Sequence, residues 1–479
     1  MKKRKFLALL LAAVLCVSLL AGCGSQAGTS TSAGSAGSAA GSGEATEGKV
    51  LNFWVWNDEL RSRVNQFYPG VQSVADDLST TTLKNGVTIK WTVNPNQDNN
   101  YQNKLDEALL NQNSAAPDDK VDMFAIEADY ALKYVDSDYT LDVKKDIGLT
   151  DQDLSDQYDY TKKIATDSNG ALKGVSWQAT PGLFIYRRDI AKAVLGTDDP
   201  TTVQSYLSDW DKFDATAAKM GTAGYKMLSG FPDSYRTFSN NVSAPWVTGT
   251  TVTVDSNIMR WVTQTKNYTD KGYNNKVQDL WSPEWCADQA PGSKVFGFFY
   301  STWGINFTLM GYTLDKQVAD GGKLEKGNGL FGEWAVCEGP QSYYWGGTWM
   351  CAAAGTDNQA TIKDIMESLT CNKDIMKSIT EDPSIQDYTN TVSGMNELAK
   401  TDFKSDFLGG QNHIALFAEA APKIDMSNIS AYDQGCNEKF QKAFQDYFNG
   451  TIDLATAKKN FETAIKETYP EITQVVWPS

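Results

Sequence analysis

Histidine is almost missing from this chain, and positive charge, clustered cysteine and phosphate-binding glycine patterns are scarce. His413 is the single histidine. His-rich metal sites are therefore excluded, and a Ser-His-Asp triad would have to be built on this one imidazole. Beyond Cys16 and Cys23 near the start, the cysteines are Cys286, Cys337, Cys351, Cys371 and Cys436. None forms a CxxC or a Cys/His metal spacing, and an odd number at wide intervals is no disulfide framework. They read as buried free thiols, with one pair such as Cys286–Cys337 left open. Lys and Arg number 43 against 59 Asp and Glu, a formal charge of −16. Such a surface repels nucleic acid, which excludes that class of partner. No Walker or Rossmann glycine pattern occurs between a strand and a helix, and Gly321-Gly322 lacks the Lys-Ser/Thr of a phosphate loop. Asp151, Asp153 and Ser155 open like a calcium loop, but no Gly holds the sixth place and Lys162 holds the twelfth. A helix N-terminus explains them better. No cofactor and no metal are expected.

The first residues are not fold. Lys2-Lys3-Arg4-Lys5 is a cationic stretch, and Phe6–Leu20 is apolar but short for a membrane span. Leu20-Ala21-Gly22-Cys23 resembles the bacterial lipoprotein signal motif, which implies cleavage of residues 1–22 and lipid attachment at Cys23. Residues 24–48 are nearly all Gly, Ser, Ala and Thr, so residues 23–48 read as a flexible tether. Loss of the leader takes the charge to about −20. About 430 residues remain, enough for two lobes with separate cores.

Val50–Trp56 is apolar and β-rich, suited to a first strand covered on both faces. Asn57-Asp58-Glu59 caps a helix reaching Phe67. Val87–Val93 and Val121–Ile126 are further strands, with a helix over Tyr101–Leu110 between them. The alternation predicts parallel βαβ crossovers. Helices follow over Val203–Lys219, Asn257–Lys271, Thr356–Leu369 and Ile452–Glu471, and strands over Val295–Trp303 and Glu333–Cys337. Lys173–Ile190 stands apart. It reads as a strand, a Pro181-Gly182 bend and a second strand, with Trp177-Gln178 at the bend. A hinge beside a binding cleft needs that pattern. Arg187-Arg188 reads as a solvated helix start.

The order of these pieces resembles one family. VLNFWVWNDE comes first, then YQNKLDEALLNQ, VDMFAIEADYALKYV, GVSWQATPGLFIYRRDI, GFFYSTWGINF, YYWGGTWMCAAAGTDNQATIKDIMESL and a terminal YFNGTIDLATAKKNFETAIKE. Behind a lipoprotein leader, this series is similar to the extracellular solute-binding lipoproteins of ABC importers, in the carbohydrate-binding group related to maltose-binding protein. The resemblance implies an α/β, two-lobed periplasmic-binding-protein-like fold, with hinge crossings near Trp177–Thr180, Trp345–Met350 and Ser384–Val392 and a ligand cleft between the lobes. Lobe one would be 48–177 plus 350–386, and lobe two 178–349 plus 387–479. It also implies an oligosaccharide ligand, ABC permease partners, a likeness to monomeric carriers, and lipid anchoring on the extracellular face of the cytoplasmic membrane. Residues 230–285 exceed the family's common core, and their placement is open.

A sugar ring offers an apolar face and a rim of hydroxyls, so it wants indole plates with amides or carboxylates beside them. Fourteen Trp are present. Ligands in open α/β sheets bind beyond the carboxyl ends of the strands. Trp56-Asn57, Glu127, Asp129, Trp177-Gln178 and Trp303 hold such ends, with Trp56 preferred to Trp54. Gly346 lets the backbone approach closely between Trp345 and Trp349. Tyr432 and Asp433 join the candidate site by family position alone. Each indole has a plain alternative as core, and Glu127 with Asp129 as a helix cap. The competing function is a surface-tethered carbohydrate-active enzyme using an Asp/Glu pair, which composition does not exclude. Peptide capture would predict fewer Trp at strand ends.

Overall fold

The computed structural model describes residues 48–478. The leader, the lipidation candidate Cys23 and the tether up to residue 47 lie outside the described residues. Among the described residues no helix is long and apolar enough to cross a membrane.

Seven strands form the larger sheet, in the order Val71–Val74, Thr80–Leu83, Thr88–Val93, Val50–Val55, Met123–Glu127, Thr348–Ala352, Gly174–Ser176. Val50–Val55 is parallel to both of its neighbours, as expected of βαβ crossovers. Thr348–Ala352 arrives from far along the chain and runs antiparallel to Met123–Glu127 and Gly174–Ser176. Leu51, Phe53 and Val55 are buried while Asn52, Trp54 and Trp56 are only partly so. The first strand therefore alternates, rather than being buried on both faces.

A second sheet has Gly182–Arg187 at its centre, antiparallel to Gly297–Ser301 and Trp334–Cys337. All of these residues are buried. Lys173–Ile190 thus leaves the edge of one sheet and becomes the middle of the other. Two distant segments run beside it at the passage. Gln178 bridges Thr389, and Pro181 bridges Tyr344. Ala179 N–H donates to the Tyr388 carbonyl (3.0 Å), and Trp345 N–H to that of Thr180 (3.1 Å). Three strands of chain cross together, stitched by backbone hydrogen bonds.

Residues 230–285 belong to a core completed from the other end of the chain. Trp261 meets Phe440 and Phe448, and Trp246 meets Phe440 and Phe461. Those phenyl rings come from the helices Asp433–Phe448 and Leu454–Thr468. The extra aromatic residues are packing for C-terminal helices, a long-range pairing that local pattern does not reveal.

Three local readings are corrected. The helix expected over Val203–Lys219 is two, Pro200–Ser205 and Trp210–Thr222. Asp209 accepts from Lys212 N–H, so a capping residue restarts the helix there. Arg187 and Arg188 are not solvated. Arg187 is 5% exposed and ion-paired to Asp189, while Arg188 donates to the carbonyls of Trp334, Asp198 and Leu408. All five described cysteines are free, so no Cys286–Cys337 bond exists.

Candidate functional site

A cavity of about 1040 Å³ opens where the strands of the larger sheet end. Trp56 and Asn57 enter it directly after Val50–Val55, Asn96–Asp98 after Thr88–Val93, and Glu127 as the last residue of its strand. The opposite wall is Trp281, Trp303 and Phe307, with Trp345–Thr348 from a crossing segment. Carboxyl-end placement is the general rule for open α/β sheets.

The indoles are held as a cluster. Trp303 Nε1 donates to the Trp345 carbonyl (2.9 Å), and the two rings meet edge to face at 5.2 Å. Trp281 stacks on Trp303 at 6.0 Å and 28°, and Trp345 on Tyr300 at 6.0 Å and 22°. Gly346 and Gly347 have φ of +69° and +118°. A Cβ at Gly346 would lie 3.2 Å from Glu127 Oε1 and 3.3 Å from Trp303 Nε1. Glycine there lets Glu127 and the indoles converge.

The charged side chains lining the cavity are Glu59, Asp98, Glu127 and Asp279, with no cation among them. Glu127 Oε2 accepts from Asp129 N–H (2.8 Å), and burial with the Asp129 charge pushes its carboxyl up to about 8. Asp129 takes a two-pronged ion pair from Arg236 (2.9 and 2.6 Å). Burial opposes its ionisation, but Arg236 outweighs that and holds the Asp129 carboxyl below its ordinary value. The Arg236 guanidinium lies 5.3 Å over the Trp345 ring. Behind the cavity wall, Gln178 Nε2 donates to Asp387 (2.9 Å), whose carboxyl burial pushes up to about 7. Flat apolar plates edged by acceptors suit a ligand with apolar faces and many hydroxyls.

The geometry brings together Trp56, Asn57, Glu127, Gln178, Trp303, Trp345 and Gly346. Gln178 lines the cavity although it is only 1% exposed. Other expected residues lie elsewhere. Trp349 is 1% exposed and donates to the Thr161 carbonyl, because the pleat that turns Thr348 to the cavity turns its neighbour away. Asp129 and Asp433 line a narrow side cavity with Arg236 rather than the main one, and Asp433 accepts from Ser430. Tyr432 packs on Tyr469 at 4.9 Å and donates to Glu471.

Trp177, expected as a cleft wall, is wholly buried. Its Nε1 donates to Glu59 (2.9 Å), and Arg63 lies 4.9 Å over its ring. The indole is packed beneath the helix Glu59–Phe67 and steadies Glu59, which itself faces the cavity. Trp177→Phe should therefore cost about 1–3 kcal/mol of stability through the lost charge-assisted bond, read by urea unfolding. Wild-type stability would show that the bond carries no weight.

Sequence reasoning did not place Arg236, Glu59, Phe307 or Trp281 in the site. Arg236 is a lone cation in an aromatic stretch, with no local signal. Trp281 is 47% exposed with φ +69°, a left-handed backbone that a Trp rarely adopts. His413 Nε2 donates to the Gln386 carbonyl (3.2 Å) and the ring packs on Phe403 and Phe417; burial lowers its pKa to about 4. No hydroxyl or carboxylate stands in those contacts, so the single histidine forms no triad.

A model of the bacterial extracellular solute-binding proteins matches residues 79–408. The chain belongs to that family. No curated protein matches it in sequence. Solved structures share its two-lobed α/β fold at low identity. One is an extracellular solute-binding protein of family 1, with TM-score 0.66 and 16% identity over 87% of this chain and 99% of that one. Another is an ABC transporter-associated binding protein from B. animalis subsp. lactis, solved with beta-1,6-galactobiose (TM-score 0.64, 14% identity, 89% of this chain, 99% of that one). A third is the GacH receptor of Streptomyces glaucescens, solved unliganded and with acarbose (TM-score 0.60, 14% identity, 88% and 99%).

Proposed function

We propose that this protein is the capture component of an ABC importer, binding an oligosaccharide outside the cell and passing it to a membrane permease. The observation that carries the reading is the cavity itself, where Trp56, Trp281, Trp303 and Trp345 surround Glu127 and Asn57. Indole faces take the apolar sides of sugar rings, and the carboxylates and amides take the hydroxyls. The sugar-bound structures that share the fold support the same reading.

Closure of two lobes over the ligand is the working step, with 48–177 plus 350–386 forming one lobe and 178–349 plus 387–479 the other. Ligand contacts to both lobes supply the few kcal/mol that separate open from closed. No bond in the sugar is broken, and the carrier acts as a monomer. Lipid on Cys23 holds it at the extracellular face of the membrane, since a charge of −16 for the whole chain gives no attraction to anionic lipid.

Titration with xylan-, glucan- and mannan-derived oligosaccharides tests this. Tryptophan emission should shift while chromatography returns each sugar at its original length. Shortened sugars would replace the carrier by a surface-tethered enzyme. Silence from every sugar would remove the carbohydrate reading.

A further inference from the structure

Trp281 stands between two cavities. The segment Asp279–Trp281 lines the main one and also a second, of about 410 Å³, on the other side. The helix Asp433–Phe448 supplies one wall of this smaller cavity through Gln434, Glu438, Gln441 and Gln445. These positions follow the spacing i, i+4, i+7, i+11, so they form a single stripe along the helix. Phe440, Phe444 and Phe448 are buried, so the helix turns its apolar side to the core and its amides to the cavity.

Several of these polar groups are unspent. Among the described residues, Gln441 Oε1, Gln434 Oε1, Asn437 Nδ2 and the side-chain amide of Gln278 make no hydrogen bond. The charged groups lining it are Asp129, Asp279 and Glu438 against Arg236 and Lys442, a small negative excess. Arg236 is paired with Asp129, and Glu438 and Lys442 bring one charge of each sign. A wall of half-paired amides with only a small excess charge suits hydroxyls, which both donate and accept. An anionic ligand would meet more carboxylates than cations, and a flat apolar one would leave the amides unsatisfied.

Trp281 links the two spaces. Its indole is half exposed and already stacks on Trp303 in the main cavity. A chain leaving that cavity toward the amide stripe passes over this ring. From this we propose that the smaller cavity is a second binding subsite, which takes the outer units of a linear, uncharged oligosaccharide crossing Trp281. The inference rests on the carbohydrate reading above and adds that length is a determinant of recognition.

Calorimetric titration of the full mature chain with cello-, xylo-, manno- and maltooligosaccharides of increasing length, from dimers to hexamers, tests it. Within the series that binds, affinity should rise about tenfold or more beyond the dimer. Gln434→Ala combined with Gln441→Ala should weaken the hexamer about tenfold and the dimer less than about twofold, as expected for two lost hydrogen bonds. Gln441→Trp, which fills the smaller cavity, should give the same length-selective loss. Equal affinity at every length, or equal loss for short and long sugars, overturns the subsite and leaves the carbohydrate reading standing. Absence of binding throughout overturns both.

Discussion

Arg236→Met should lower the free energy of unfolding by about 2–3 kcal/mol, and adding Asp129→Asn should restore part of that loss. Removing one partner of a buried ion pair typically costs about 3–5 kcal/mol, mostly because the other charge stays behind. Here the side chains keep 25% and 29% of their exposure, which lowers the expected figure. The geometry is the favourable two-pronged kind, with Arg236 also lying on Trp345. Urea unfolding of both single variants and the double variant measures the coupling. Strict additivity would mean that Arg236 and Asp129 do not support one another. The pair also joins the turn after Met123–Glu127 to the short helix Tyr235–Ser239, so oligosaccharide affinity should fall with stability in the Arg236 variant.

Trp281→Gly separates strain from stacking. At φ +69° a Trp backbone is strained by about 1–2 kcal/mol, which glycine would relieve. Glycine gives back roughly 0.5–1 kcal/mol through its freer unfolded chain, and the edge contact with Trp285 at 5.0 Å is also lost. Stability should therefore stay within about 1 kcal/mol of wild type. Affinity for an oligosaccharide should drop by about tenfold or more, because an exposed indole at the cavity mouth is removed. Fluorescence titration and thermal unfolding together check both halves. Undiminished affinity would strike Trp281 from the site. The strained backbone would then have no ligand-binding explanation.

The outline of the fold was readable because each clue was local. Lys173–Ile190 carries its bend in Pro181-Gly182, and the structure does pass there from one sheet to another. Trp303 follows a strand end and Trp345 precedes Gly346-Gly347, and both reach the cavity. Strand phase was harder. Trp56 and Trp177 both end strands, yet one lines the cavity and the other lies under a helix. Only the partner Glu59 distinguishes them, 118 residues away from Trp177. Arg187-Arg188 misled for a similar reason, since their acceptors Trp334 and Leu408 come from elsewhere in the chain. Residues 230–285 needed the last helices before their aromatic content had a purpose. What composition and spacing missed was, in each case, a contact between distant segments.

If two lobes close as proposed, the three segments that run side by side between them limit how they can move. One flexible strand would let two bodies tumble freely, and closing them on a ligand would forfeit much of that freedom. Three strands laid side by side and tied by Gln178–Thr389 and Pro181–Tyr344 behave like the barrel of a door hinge. On the proposed closure, they would permit rotation about one axis and resist shear and twist. Opening and closing would then reduce to a single angle, and a ligand resting on one wall would meet the other in nearly the same register each time.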